Sequence, residues 1–397
     1  MEAKTTETPI KGVVKNERFD ALEAYRGVAA LLIVIFHAYQ HSRVGQTYVY
    51  EGTPLHVILR NLDSSVAVFL ALSGFLIFLP FAQSFLGQHP SPSARGFLLR
   101  RAIRIVPLYY VAILLVWTLR FSGGSEQWLD LLQHLTFTQI FDSRHIFWTI
   151  GPAWSLAVEV LFYLSVALTA PLLQYLCGHL QTQIQRATLL TGLLVTLMAT
   201  SLVYKGWAFY LARIPEENYA VYYGFLAKAD LFALGMLLAV VVALVRGRWQ
   251  MGQWQATLWR VGGLILFGVA FILREHSEFV YLFFHTVCGL AFIFLLVSTV
   301  LEERGSIWNR TLSQPVFKFL GLISYSVYLW HEPIMLELSK PGRLTFDTSS
   351  AFLASTLIFL IFVILAGIIS YYAIEYPTQS LRHLFTRDGR FAERYPE

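Results

Sequence analysis

An arginine and a histidine, Arg26 and His37, stand eleven residues apart in an apolar stretch near the start of the chain. Eleven residues at about 100° each return a helix to within about 20° of its starting direction, so both side chains would lie on one face, roughly 16 Å apart along the axis. Apolar surroundings favour the neutral imidazole, the form that accepts a proton from a hydroxyl group. The spacing therefore predicts a general base at His37. A buried histidine that only hydrogen-bonds a neighbouring helix is the alternative.

Polar side chains interrupt other apolar stretches as well. An ionisable group inside a membrane costs a few kcal/mol, so such positions are candidates for function. Glu159 and Asp230 lie in two separate stretches, and Ser324, Tyr328 and His331 follow i, i+4, i+7 spacing in a third, which would place them on one helix face. Together with the first histidine they predict a polar cavity, although each alone is compatible with an interhelical hydrogen bond.

A further group is basic. Arg101 and Arg104 are three residues apart and would share a helix face, and two planar guanidinium groups suit a polyanion such as a nucleotide phosphate. Arginines that only anchor the cytoplasmic end of a span are the alternative. Ser73 and Gly74 form a small pair inside another apolar stretch, which permits close approach of a neighbouring backbone.

The composition indicates which kind of protein must position these residues. Apolar residues make up 56% of the 397 residues and charged residues 14%, against about 25% charged in ordinary soluble domains. A soluble globule of this size would lack the polar side chains to cover its surface, and disordered, collagen-like and disulfide-rich chains are excluded too. The net charge of +5 is attributed to loops that set membrane orientation, and no nucleic-acid partner is expected.

Apolar stretches near the length of about 20 residues that crosses a bilayer recur along the whole chain. They predict an all-α, polytopic transmembrane helical bundle of about ten spans, at 21–42, 64–86, 104–122, 153–175, 187–204, 220–245, 259–274, 279–300, 317–338 and 352–374. The domains would be a polar tail at 1–20, a membrane domain at 21–377 and a basic tail at 378–397. Roughly two thirds of the 30 Lys and Arg fall on the side of the N-terminus, which predicts that both termini are cytoplasmic in a multi-pass protein of the cell membrane.

Metal and cysteine chemistry is not expected. His37 and His41 are four residues apart, but the sequence offers no apparent third ligand and no zinc signature. Cys177 and Cys288 lie in or beside apolar stretches and are interpreted as small buried hydrophobes rather than disulfide partners.

The ordered set of motifs resembles membrane-bound acyltransferase family 3, whose members O-acylate carbohydrates and some lipids and antibiotics. The resemblance runs from about Phe19 to Pro377 and rests on Glu23-Ala24-Tyr25-Arg26-Gly27, the Arg26 to His37 spacing, Ser73-Gly74-Phe75-Leu76-Ile77, Arg101-x-x-Arg104-Ile105-x-Pro107-x-Tyr109, Trp154-Ser155-Leu156-x-x-Glu159, Ser324-Tyr325-Ser326-Val327-Tyr328-Leu329-Trp330-His331-x-Pro333 and Glu375-x-Pro377. Two positions depart from the family pattern: Glu23 stands where many members have Asp, and Lys228 where Arg is usual. With about 20 residues after Pro377, the chain resembles the stand-alone type that lacks a fused extracytoplasmic hydrolase-like domain.

The resemblance implies transfer of an acyl group, most often acetyl in that family, from cytoplasmic acyl-CoA to a hydroxyl of an extracytoplasmic or membrane-associated glycan or glycoside. In that scheme His37 is the general base, and Glu159 orients it or binds the acceptor. The donor-binding residues would be Arg26, Ser73, Gly74, Arg101 and Arg104, and the acceptor-binding residues Asp230, Tyr328 and His331. A membrane transporter or flippase for a polar substrate would also place ionisable groups at mid-membrane and is the alternative.

Overall fold

The computed structural model describes residues 17–245, 248–303 and 306–380. The predicted tails at 1–20 and 378–397 lie largely outside these residues.

The described chain is almost entirely helical. Its α-helices are α1 (Glu17–Gln40), α2 (Pro54–Leu59), α3 (Ser65–Phe85), α4 (Ala94–Arg120), α5 (Ser125–Leu135), α6 (Ala153–Gly178), α7 (Gln183–Gly206), α8 (Tyr219–Tyr223), α9 (Phe225–Val245), α10 (Gln253–Leu273), α11 (Ser277–Phe279), α12 (His285–Val300), α13 (Ile307–Leu312), α14 (Pro315–Leu338), α15 (Ser349–Ser370) and α16 (Tyr376–Ser380). Short 3₁₀ turns lie at Leu62–Ser64 and Gln139–Phe141, and π-helical turns at Trp207–Leu211, Val280–Phe284 and Tyr371–Glu375. After α1 comes a small antiparallel hairpin of β1 (Arg43–Val44) and β2 (Thr47–Tyr48).

Nine helical segments among the described residues are long and apolar enough to cross a bilayer, at Ala21–Gln40, Pro54–Phe85, Ala94–Arg120, Ala153–Gly178, Gln183–Leu211, Tyr219–Val245, Gln253–Leu273, Ser277–Val300 and Ser349–Ser380. They correspond to nine of the predicted spans. The remaining predicted span, 317–338, is α14, a helix of 24 residues that is more polar because it carries the serine, tyrosine and histidine stripe. The all-α, polytopic membrane architecture is thereby confirmed.

Two helices, α4 and α10, begin at least six residues earlier than predicted. The third span was expected from residue 104, but α4 begins at Ala94, where the Ser93 hydroxyl caps it by accepting from the backbone N–H of Gly96 at 3.3 Å. Arginine is a good helix former, but its charge lowers the hydropathy from which a span is predicted. Arg101 and Arg104 therefore lie well inside a helix rather than at its start. For the same kind of reason α10 begins at Gln253 and not at 259.

Close backbone contact fixes how α1 lies along α14. A Cβ added to Gly27 would lie 2.7 Å from the backbone nitrogen of Gly321, and one added to Gly321 would meet the carbonyl oxygen of Glu23. Glycine at both positions lets the two backbones touch. This contact sets the Arg26 and His37 face of α1 against the polar stripe of α14.

Candidate active site

Two histidines from α1 and α14 are in direct contact. Nε2 of His331 lies 3.2 Å from Nδ1 of His37, and the ring centroids are 4.7 Å apart. His331 is fully buried, whereas His37 is half-buried. Residues 294 positions apart in sequence are thus joined into one pair.

The hydrogen bonds around the two rings decide where their protons lie when both are neutral. Nδ1 of His331 faces the carbonyl oxygen of Tyr328 at 2.5 Å, so this nitrogen donates and Nε2 of His331 is the acceptor. Nδ1 of His37 therefore donates, both to Nε2 of His331 and to the carbonyl oxygen of Ile33 at 2.9 Å. Nε2 of His37 is then the nitrogen that carries a lone pair, as a general base requires.

A cavity lies beside the N-terminal half of α1, and the residues that line it do not include the two histidines. Arg26 enters it from α1, and Arg101 and Arg104 enter it from α4, close enough for the charges of both to act on Arg26. Arg26 also donates to Oε1 of Glu23 at 3.2 Å. The full lining is Arg26, Phe69, Leu70, Ser73, Arg101, Arg104, Ile105, Ser155, Leu156, Glu159, Tyr163, Ser324, Tyr325 and Tyr328.

A tyrosine connects this cavity with the histidine pair. The Tyr328 hydroxyl lines the cavity, lies 2.8 Å from Oγ of Ser155 and donates to the carbonyl oxygen of Pro152 at 3.1 Å. The centroid of its ring is 5.5 Å from that of His331. Tyr328 therefore lines the cavity together with the arginines and also packs against His331 of the histidine pair.

The carboxylate of Glu159 lies at the arginine end of the site. It accepts a hydrogen bond from the Ser73 hydroxyl at 2.5 Å, and its charge acts on Arg26. We expected Glu159 to orient His37 or to bind the acceptor. In the described residues the hydrogen bonds of His37 go to α1 and α14, which leaves acceptor binding as the expected role. The reason is the depth of Glu159 along α6. Ser155 contacts the hydroxyl of Tyr328, whose ring packs against His331, and Glu159 lies four residues, about 6 Å, further along the helix.

Two predicted site residues lie away from the cavity. Asp230, 1% exposed, accepts from Nζ of Lys205 at 2.9 Å and from the hydroxyl of Thr286. Gly74 faces α9, where an added Cβ would meet the carbonyl oxygen of Phe232. The sequence indicated their depth in the membrane, but the helix face that each occupies is set by packing.

Three polar residues of the cavity lining were not predicted as site residues: Ser155, Tyr163 and Tyr325. Tyr325 donates to the carbonyl oxygen of Ile105 at 2.8 Å and so ties α14 to α4. Ser155 carried a usable signal, since it is polar and begins an apolar stretch. Tyr325 belongs to the same motif as Tyr328 and His331 and so carried a signal too. Tyr163 carried none, because aromatic residues are common throughout this chain.

Among the described residues, no group of three or more His, Cys, Asp and Glu side chains is arranged to hold a metal ion. Cys177 and Cys288 are both buried, with free thiols.

Known proteins are similar to this chain over more than half of its length. The putative membrane-bound transacylase BcsY of Komagataeibacter xylinus is 25% identical over 379 residues, which cover 91% of this chain and 83% of BcsY. The O-acetyltransferase OatA of Staphylococcus aureus (strain NCTC 8325) is 23% identical over 258 residues, covering 60% of this chain and 40% of OatA. The peptidoglycan O-acetyltransferase OatA of Listeria monocytogenes is 25% identical over 327 residues, 74% of this chain and 49% of its own length. This chain thus spans less than half of the OatA proteins.

No solved structure matches this chain. The family model described as an acyltransferase domain, that of acyltransferase family 3, matches residues 19–374. The match runs from the arginine and histidine helix to the π-helical turn after α15, and so contains every residue of the site. This chain is therefore a multi-pass membrane protein that belongs to acyltransferase family 3.

Proposed function

We propose that this protein transfers an acyl group, acetyl in the first instance, from cytoplasmic acyl-CoA to a hydroxyl of an extracytoplasmic or membrane-associated glycan or glycoside. The observation that carries the proposal is a cavity lined by three arginines, with a histidine pair that packs against Tyr328 of the cavity lining. The names of the OatA relatives, O-acetyltransferase and peptidoglycan O-acetyltransferase, support a glycan acceptor.

The arginine end suits the donor. CoA carries phosphate groups, and planar guanidinium groups bind phosphates through paired charge-assisted hydrogen bonds. Arg101 and Arg104 are assigned to this contact, and Arg26 lines the same cavity. Because Arg26 and His37 are roughly 16 Å apart along α1, an extended pantetheine arm would carry the thioester from the phosphates to the histidine end.

We assign the role of general base to His37. Its Nε2 takes the proton of the acceptor hydroxyl while that oxygen attacks the thioester carbonyl carbon, and the same proton passes to the sulfur of CoA as the carbon–sulfur bond breaks. His331 is a positioning residue, because it accepts from Nδ1–H of His37 and so fixes the ring of the base with Nε2 as the proton acceptor. General-base catalysis of this kind typically contributes about 10²–10⁴-fold.

The test uses sealed vesicles of known orientation that carry the full chain in their membrane. Radiolabelled acetyl-CoA is supplied on one face of the membrane at a time. Label should reach a glycan or lipid-linked fraction only when acetyl-CoA is on the face that bears Arg101, and detergent should remove this dependence. Equal use from both faces would overturn the two-sided scheme. A transporter or flippase would move solute without transferring any label, and that result would overturn the proposed function itself.

A further inference from the structure

Five charged side chains lie largely buried together around α9, away from the cavity. Two ion pairs account for four of them. Nζ of Lys205 lies 2.9 Å from Asp230, and Arg274 donates to both oxygens of Asp63, at 2.5 and 2.7 Å. The fifth is Lys228, which is 6% exposed and forms no hydrogen bond or ion pair with any residue in 17–245, 248–303 or 306–380. The proposed mechanism does not use it.

Aromatic rings surround this lysine. Its Nζ lies 5.1 Å from the ring centroid of Tyr223 and 5.8 Å from that of Trp154, and those two rings meet edge to face at 4.7 Å. Such contacts attract a cation but supply no negative charge.

The charges near Lys228 do not balance. The charged groups that act on its ammonium are Lys205, Asp230 and Asp63. Both carboxylates are already paired, Asp230 with Lys205 and Asp63 with Arg274. Three cations against two carboxylates leave one positive charge in excess. A buried ion without a partner costs several kcal/mol, so this arrangement is expected to persist where a ligand supplies the missing charge.

We propose that Lys228, with Trp154 and Tyr223, binds an anionic group of the acceptor, a carboxylate or a phosphate. The location supports this, because Trp154 directly precedes Ser155, which lines the cavity and contacts the Tyr328 hydroxyl. The inference rests on the proposed function and specifies its acceptor as a charged sugar rather than a neutral one.

The first experiment compares two buried lysines of the same cluster in the purified full chain. Lys228→Met removes an uncompensated charge, so its melting temperature should equal or exceed that of the wild type. Lys205→Met leaves Asp230 buried without its partner and should melt at least about 3 °C lower. A Lys228→Met melting temperature that falls as far as that of Lys205→Met would make Lys228 structural and overturn the proposal.

The second experiment measures binding without acyl transfer. Glucuronate and glucose 1-phosphate are the anionic probes, and glucose is the neutral control, each scored by its shift of the melting temperature. At least one anionic probe should stabilise the wild type but not Lys228→Met, and Lys228→Arg should keep part of the shift. Stabilisation by glucuronate alone identifies a carboxylate, and by glucose 1-phosphate alone a phosphate.

Equal shifts in wild type and Lys228→Met, a shift with glucose as large as with the anions, or no shift with any probe would each overturn the proposal. Failure of the proposed function is a separate result. It would appear as an intact anion-dependent shift in a protein that transfers no label from acetyl-CoA.

Discussion

Two regions of this protein bury charged groups, and they do so in different ways. Around the α1 and α14 contact, the arginines, Glu159 and the Tyr328 hydroxyl line an open cavity. In the α7, α9 and α12 region, Asp230 is closed off by Lys205 and Thr286. An ionisable residue in an apolar stretch is therefore not sufficient evidence of a substrate site. What distinguishes the two regions is whether the polar atoms face an empty volume or one another.

The largest effect is expected from His37. His37→Ala and His37→Gln should each lower acyl transfer by about 10²–10⁴-fold, because neither side chain can take the acceptor proton, while the amount of protein in the membrane stays unchanged. Initial rates with radiolabelled acetyl-CoA measure this. A variant that keeps more than roughly a tenth of the wild-type rate would remove His37 from the role of base.

His331 should affect turnover rather than binding. His331→Phe removes the acceptor for Nδ1–H of His37, so kcat should fall at least about 10-fold with little change in KM for donor or acceptor. His331→Gln retains an acceptor and should restore part of kcat. The family resemblance instead implies that His331 binds the acceptor, and that role predicts a raised acceptor KM with kcat nearly preserved. Steady-state kinetics separates the two roles.

Glu159 and Asp230 give the most direct test of the contrast between the regions. Glu159→Gln should lower activity while the melting temperature changes little, because its carboxylate lines the cavity. Asp230→Asn should destabilise the protein by about 3–5 kcal/mol, since it leaves Lys205 buried without a counter-charge, and activity per folded molecule should fall less than in Glu159→Gln. Reversed effects on activity and thermal stability would mean that cavity exposure does not separate function from structure here.

A smaller effect is expected at the donor end. Arg101→Ala and Arg104→Ala should each raise KM for acetyl-CoA by roughly 10-fold, consistent with about 1.5–3 kcal/mol for a hydrogen bond to a charged group, and the double variant should cost more. Arg104→Lys keeps the charge but loses the planar fork, so a partial loss is expected. Arg100→Ala is the matched control, because Arg100 adjoins this pair on α4 but does not line the cavity. A normal donor KM in the double variant would return the two arginines to the role of membrane anchors.

Much of the fold follows from local properties of the sequence. The apolar stretches give the helical, membrane-spanning class, since a span needs about 20 such residues whatever its neighbours are. The start of α4 was harder to predict, because the arginines among its first ten residues lower the hydropathy of that segment. The motif order was also sufficient to indicate the family, and the match over residues 19–374 confirmed it.

The arrangement of the site was decided by tertiary structure. The sequence placed Arg26 and His37 on one helix face, and Tyr328 and His331 on another, because helical spacing is a local property. It could not pair His37 with His331 rather than with Glu159, nor turn Asp230 toward Lys205 and away from the cavity. Those choices depend on how helices rotate and approach, which is fixed at contacts such as Gly27 against Gly321, where only the absence of a Cβ lets the two backbones meet.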